Sequence, residues 1–217
     1  FAIENNSNIA SAKFLEEISI EKSINALKKF GIIDKNPEND NFISEEENSD
    51  ENDENIDSLA LGNMKRGITN IEAASAYRTI ATGGDYKKIS AVIKIEDASG
   101  IPIIDNKKSE KKNIFKKENC FLITDALRTN VTRGSAKGSS IYNFDIAGEI
   151  GVNKFNSDLW FTGFSPKYTI STWIGCDSPK VELNADNEII IDLFKKIAVK
   201  AHSSESSEKF KEPKNIV

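Results

Sequence analysis

Apolar residues recur along this chain at two different periods, and the change between them divides it. From Ile9 to Ser19 the spacing is helical, with Ala10, Phe14 and Ile18 on one stripe beside Ala12 and Leu15. A second short helix is expected from Ile20 to Phe30, ending at Gly31, a residue able to take the left-handed conformation that closes a helix. Thr69 and Glu72 have the spacing of a capping box, in which hydroxyl and carboxylate each satisfy a free backbone donor at a helix start. The helix they open has to stop at Gly83-Gly84. Glu118–Val131 repeats the helical pattern with Cys120, Ile123, Leu127 and Val131, and Glu188–Ala201 carries the strongest apolar face, Ile190, Leu193, Phe194, Ile197 and Ala201.

Elsewhere the period is two. KISAVIKIEDASGIPIID (Lys88–Asp105) reads as a β-hairpin turning at Ala98-Ser99-Gly100. FDIAGEIGV alternates, with Phe144, Ile146, Ile150 and Val152 on one side, Asp145, Ala147, Glu149 and Gly151 on the other, and Gly148 interrupting. A strand through Trp160 and another over Tyr168–Gly175 follow closely. Three successive strands and a closing amphipathic helix predict an α+β fold, an antiparallel β-sheet with helices packed on it.

Charge changes this picture in one place. Asn36–Asp57 holds ten of the 34 carboxylates of the 217-residue chain and no Lys or Arg, the composition of a solvated, disordered insert. The chain as a whole is −5, so the remainder is about +5. The two cysteines, Cys120 and Cys176, read as buried thiols rather than a disulfide, and no metal-ligand spacing occurs, so neither metal nor cofactor is expected. His202, beside a serine-rich tail (203–217), reads as a surface residue. No apolar run reaches the length of a membrane span.

Several of these segments together resemble the transpeptidase domain of class A penicillin-binding proteins. LALGNMKRGITNIEAASAYRTIATGG is similar to the part ahead of that domain's late strands, and CFLITDALRTNVTRGSAKG to the helix and turn leading to its Lys-Thr-Gly strand. AGEIGVNKFNSDLWFTGFSPKYTISTWIGCDSP resembles that strand and the two after it. The opening AIENNSNIASAKFLEEISIEKSINALKKFGI resembles the helix pair with the family's Ser-x-Asn motif, and DLFKKIAVKAHSSESSEKFKEPKNIV its last helix and tail. The resemblance implies that residues 1–202 are the C-terminal portion of a transpeptidase-like, β-lactamase-like domain, its N-terminal part incomplete. It implies an extracytoplasmic, cell-wall-associated D,D-transpeptidase acting on peptidoglycan stem peptides and acylated by β-lactams. Its partners would be the cell-wall polymer and other cell-wall synthesis proteins, with no nucleic acid, and with the membrane reached only through an anchor outside this chain.

Such enzymes need a nucleophilic serine in Ser-x-x-Lys, a Ser-x-Asn and a Lys-Thr-Gly. The family's spacing puts the first of these before Phe1, and the matches at Ser19, Ser109 and Ser206 fall in a turn, a lysine-rich loop and the tail. In the second motif Asn8 keeps the family's amide, while Asn6 stands for the serine that relays a proton, a task a carboxamide cannot perform. A one-residue slip would make Ser7 the relay. The third motif reads Glu149-Ile150-Gly151, followed by Val152. Where the family's lysine supports a field for the substrate's terminal carboxylate, Glu149 reverses the sign. Two unit charges at about 4 Å interact by roughly 4 kcal/mol at an effective dielectric near 20, so the exchange swings up to about 8 kcal/mol. Ile150 loses the threonine hydroxyl, Gly151 still permits close approach, and the Val152 amide remains available as an oxyanion donor.

Three functions fit. One is a catalytically degenerate transpeptidase module retained for binding or scaffolding. Another is a fragment of an active enzyme whose Ser-x-x-Lys lies upstream of residue 1, with Arg133 or Lys154 replacing the lost lysine. The third is an interaction module whose working part is the acidic insert.

Overall fold

The structure, a computed structural model, describes residues 1–33, 53–64, 67–106, 111–153, 156–176, 181–183 and 185–216. Most of the acidic insert, together with Ser109 and Lys154, lies outside them. The expected helices form: α1 (Asn8–Ile18), α2 (Ile20–Lys29), α4 (Asn70–Ala81), α5 (Lys117–Arg133) and α6 (Asn187–Ala201). Ser7 caps α1 by accepting from the Ala10 amide, and the Thr69–Glu72 capping box opens α4 with both reciprocal bonds made. Ser19 joins α1 to α2 at φ 80°, confirming its place in a turn.

A further helix, α3 (Ile56–Leu61), corrects the reading of the insert's end. Asn55 caps it by accepting from the Ser58 amide, and the Ser58 hydroxyl donates to Asp53, which is fully buried. The short polar side chains read as solvating ones in sequence build a helix start here.

Four short strands make two separate ladders: β1 (Asp85–Tyr86) with β4 (Lys112–Asn113), and β2 (Lys94–Glu96) with β3 (Pro102–Asp105). The second pair is the predicted hairpin, shorter than its sequence suggested. Asp97 organises its turn by accepting from the Ser99 and Ile101 amides, and Gly100 takes φ 78°.

The main sheet is antiparallel, in the order β5 (Ala147–Val152), β6 (Asp158–Phe164), β7 (Thr169–Gly175). Its first strand starts at Ala147 rather than Phe144, which makes only isolated bridges to Ile141 and Glu208. Helices cover both faces. On one, Ile150, Leu159 and Phe161 pack with Ile190, Phe194 and Ala198 of α6 and with Val131 of α5. The Phe161 and Phe194 rings lie 4.2 Å apart, both fully buried. On the other, Ala147 and Phe164 meet Leu127 of α5, Tyr77 and Ile80 of α4, and Phe210 of the tail. Val152, expected inside, is exposed where the strand leaves the core. Gly148 is explained by space, since a Cβ there would lie 2.8 Å from the Phe161 ring and 3.0 Å from Gly163 Cα.

Helical stripes rotate slightly from those read in sequence. In α5 the buried set is Cys120, Thr124, Leu127, Asn130 and Val131, with Ile123 exposed. In α6 it is Ile190, Ile191, Phe194 and Ala198, with Ile197 exposed. In α1 only Leu15 is buried, while Phe14 and Ile18 face outward. Cys120 is buried and Cys176 half-buried, and both are free thiols.

His202 is not a surface residue. Its ring lies between Phe144 and Tyr168, with Nδ1 2.7 Å from the Ala198 carbonyl and Nε2 2.8 Å from Ser165 Oγ. The tail continues the clasp. Glu205 pairs with Lys167 and accepts from the Tyr168 hydroxyl, Ser207 donates to the Asn143 carbonyl, and the Phe210 ring packs edge-on against Phe164. A histidine ending a helix and followed by serines looks solvated until the chain folds back and covers it.

Candidate functional site

Among the described residues β5 is an edge strand, so the backbone groups on its outer side have no neighbouring strand there. The Asn153 amide donates to the Asp158 carbonyl, which fixes the alternation: odd-numbered residues of β5 bond towards β6, and Gly148, Ile150 and Val152 direct their N–H and C=O groups outward. Two turns border this edge. The turn ahead of α1 contains Asn6, in the left-handed region at φ 46°, and leads through Ser7 to Asn8. The turn after α5 contains Gly134 and Ser135. The two are tied together: the Ser135 amide donates to the Glu4 carbonyl at 3.0 Å, and Arg133 Nε lies 2.9 Å from Glu4 Oε1. Gly134 is required at this junction, because a Cβ would lie 2.4 Å from the Glu4 carbonyl oxygen.

Asn130 locks the second turn to the strand. Fully buried, it donates from Nδ2 to the Gly148 carbonyl at 3.1 Å, while its Oδ1 accepts from the Ser135 hydroxyl at 3.0 Å and the Ala136 amide at 3.3 Å. The Ser135 hydroxyl also reaches Glu149 Oε1, at 3.2 Å.

Glu149 lies on the sheet face that meets α4 and α5, the opposite face from Ile150. Its Oε1 bends over the outer edge to accept from the Ile150 amide at 3.2 Å. Burial pushes its carboxyl above the usual range, opposed by hydrogen bonds from the Ile150 amide and the Ser135 hydroxyl and by the nearby Asn130 side chain. Among the described residues no Lys or Arg pairs with it, Arg133 being committed to Glu4. Tyr77 lies close enough to feel the charge: burial first, and Glu149 second, hold its hydroxyl well above the ordinary tyrosine range, so it stays protonated.

A polar row continues across this face. Glu149 stands opposite Thr162, and Thr162 opposite Ser171. The Thr162 and Ser171 hydroxyls are 2.9 Å apart, and Ser171 donates to Asn70 at the start of α4. In the next row Gly151 faces Trp160, which faces Trp173, the two indole rings 6.2 Å apart. A side chain at 151 would meet only Trp160 Cβ, at 3.4 Å, so the glycine keeps surface open rather than relieving a clash.

Four of the sequence-derived positions lie on this edge strand. Glu149, Ile150, Gly151 and Val152 are on the strand, Ile150 burying its side chain and offering only backbone. Asn6 stands in the turn ahead of α1, which Glu4 ties to Ser135, Asn8 is the first residue of α1, and Arg133 is in the junction with Glu4. Sequence reading missed Asn130, Ser135, Tyr77 and Glu4. The signal for Asn130 was available, since an asparagine three residues after Leu127 falls on the buried stripe of α5, where a polar group needs partners. Among the described residues no cluster of His, Cys, Asp and Glu is arranged to hold a metal.

An antiparallel sheet covered by helices on both faces defines an α+β domain. Residues 2–197 match the family model of the penicillin-binding protein transpeptidase domain, and the chain belongs to that family. It is 30% identical to Penicillin-binding protein 1F of Bacillus subtilis (strain 168), over 99% of this chain and 28% of that protein. To Penicillin-binding protein 1A of Clostridium perfringens (strain ATCC 13124) it is 27% identical, over 99% of this chain and 25% of the relative. The chain thus spans about a quarter of the length of these relatives. Among solved structures it resembles Penicillin-Binding Protein 1A from Haemophilus influenzae with a TM-score of 0.74 and 18% identity, covering all of this chain and 36% of that one. The D,D-transpeptidase domain of a peptidoglycan glycosyltransferase from Eggerthella lenta gives 0.64 and 20%, over 92% of this chain and 52% of its own. These two likenesses establish the fold.

Proposed function

We propose that this chain is a transpeptidase-like module of peptidoglycan assembly that binds stem peptide or wall polymer without cross-linking it. Residues 1–202 form the module and the 203–217 tail supports it, in an extracytoplasmic, wall-associated setting where other cell-wall synthesis proteins are its partners. The observation that carries this reading is the state of Glu149. A carboxylate occupies the position where the resemblance implies a lysine, its oxygen rests on the strand edge, and the described structure brings no cation to it. Asn6, in place of the relay serine, points the same way, because its amide can hold a ligand but cannot carry a proton at accessible pH. Asn8, the Val152 amide and the open surface at Gly151 keep the capacity to bind.

Two measurements test this. Incubated with a fluorescent penicillin, the chain should carry no label after denaturing electrophoresis, either alone or joined to any sequence encoded ahead of Phe1. It should also co-sediment with purified sacculi. A labelled serine would overturn the silent assignment, and failure to sediment would remove the binding role.

A further inference from the structure

We propose that β2 is a self-complementary pairing edge, by which two copies of this chain join their hairpins into one antiparallel sheet in the order β3-β2-β2-β3.

The hairpin stands apart from the rest of the fold. Every residue from Ser90 to Ile104 is exposed, including Val92, Ile93, Ile95, Ile101, Ile103 and Ile104, and among the described residues β2 and β3 pair only with each other. Two strands alone are marginally stable in water, so added strands would stabilise this pair. Its two outer edges differ. In β3 the register shifts opposite Ile95 and Glu96, which makes Ile103 an extra residue, and Pro102 has no amide hydrogen to donate. Bulge and proline spoil that edge for pairing. β2 carries neither.

The alternation of β2 is fixed at both ends. The Asn106 backbone amide donates to the Ile93 carbonyl and the Asp97 amide to the Ile101 carbonyl, so Ile93, Ile95 and Asp97 bond towards β3. Lys94 and Glu96 therefore direct their N–H and C=O groups outward. An antiparallel copy related by a two-fold axis at Ile95 sets Lys94 opposite Glu96 of the second copy, and Glu96 opposite Lys94 of the second copy. These are hydrogen-bonded pairs, and each also matches opposite charges. Within one chain the same two side chains already meet in an ion pair along the strand, which shows that they share a face. On the other face Ile95 meets its own counterpart across the axis in the closer, non-hydrogen-bonded kind of pair. Sliding the copies to the next outward register sets Lys94 against Lys94 or Glu96 against Glu96, which is destabilising. The charges thus select one register, and a second copy of this chain as the occupant.

Sedimentation velocity of the 217-residue chain should show a reversible monomer–dimer equilibrium between low micromolar and near-millimolar concentration. Lys94→Glu and Glu96→Lys, both at exposed positions, should each weaken it roughly tenfold or more, because every opposite-charge pair becomes a like-charge pair. Mixed together, the two variants should associate again, since one supplies only acidic partners and the other only basic ones. Cysteines introduced alongside Cys176→Ser read the geometry. Mild oxidation should link Ile95→Cys chains across the axis, where paired Cα atoms lie about 4.5 Å apart, and should leave Ile103→Cys chains, on the far strands, unlinked. A chain that stays monomeric throughout, or dimers that both charge variants leave unchanged, would overturn the proposal. So would a failure to recover association on mixing, or linkage through residue 103 instead of 95. Penicillin labelling and sacculus binding do not enter these outcomes, so this inference and the proposed function fail separately.

Discussion

Replacing Asn130 by alanine is the most informative single perturbation of this fold. The side chain is fully buried and makes three hydrogen bonds, to the Gly148 carbonyl, the Ser135 hydroxyl and the Ala136 amide. Ser135 is exposed and can turn to water. The Gly148 carbonyl and the Ala136 amide cannot do so easily, since both residues are buried. Leaving a buried backbone group unpaired costs about 1–3 kcal/mol, so two of them place the loss near 4 kcal/mol. That is a large share of the total stability of a domain this size. Urea denaturation followed by far-ultraviolet circular dichroism should show the midpoint moving down with little change in slope. The same variant should loosen the turn at Gly134-Ser135, read as faster amide exchange at Ser135 and Ala136. A loss below about 1 kcal/mol would refute the reasoning, because it would mean that water or a backbone shift replaces bonds the structure assigns to Asn130 alone.

Two other outcomes follow from the same geometry. Burial raises the Glu149 carboxyl in the folded state, so the folded chain binds its proton more tightly than the unfolded chain does. Between the ordinary carboxylate value and the raised one, this group therefore lowers stability as pH rises. Glu149→Gln should be more stable than the native chain at neutral pH, on the order of 1 kcal/mol. The gap should close on acidification to about pH 4, checked by thermal melts across that range, and a gap that widened would reverse the assigned sign. The two thiols should also separate kinetically: burial, and secondarily Asp85, pushes the Cys120 thiol up, whereas Cys176 is half-buried. A chromogenic disulfide reagent should titrate Cys176 rapidly and Cys120 only on unfolding, so equal rates would show that α5 opens in the native state.

How much of this was legible in the sequence depends on whether a residue's partner is near or far in the chain. The Thr69–Glu72 box, the turn at Ala98-Ser99-Gly100 and the alternation of β5 are local patterns, and each appears as an element, with β5 starting at Ala147 rather than Phe144. The rotation of the buried stripe in α5 was not visible, because the choice of Thr124 over Ile123 is made by α4 and the sheet, not by helical spacing. His202 was misread for a similar reason. Its burial depends on Ser165, Phe144 and Tyr168, contributed by segments 34 or more residues away. The site divided in the same manner. Glu149, Ile150, Gly151 and Val152 could be placed on one strand from their alternation. That the carboxylate would curl onto the next amide, and that Arg133 would choose Glu4, depended on how two distant turns met.

That meeting has a mechanical consequence. Glu4 grips one turn of the chain by its backbone oxygen and by its carboxylate, and the gripped turn carries the hydroxyl that touches Glu149. Any force that tugs on the first few residues is therefore passed through two linkages to the strand border. The turn ahead of α1 works as a lever, and its fulcrum is an ion pair that salt can soften.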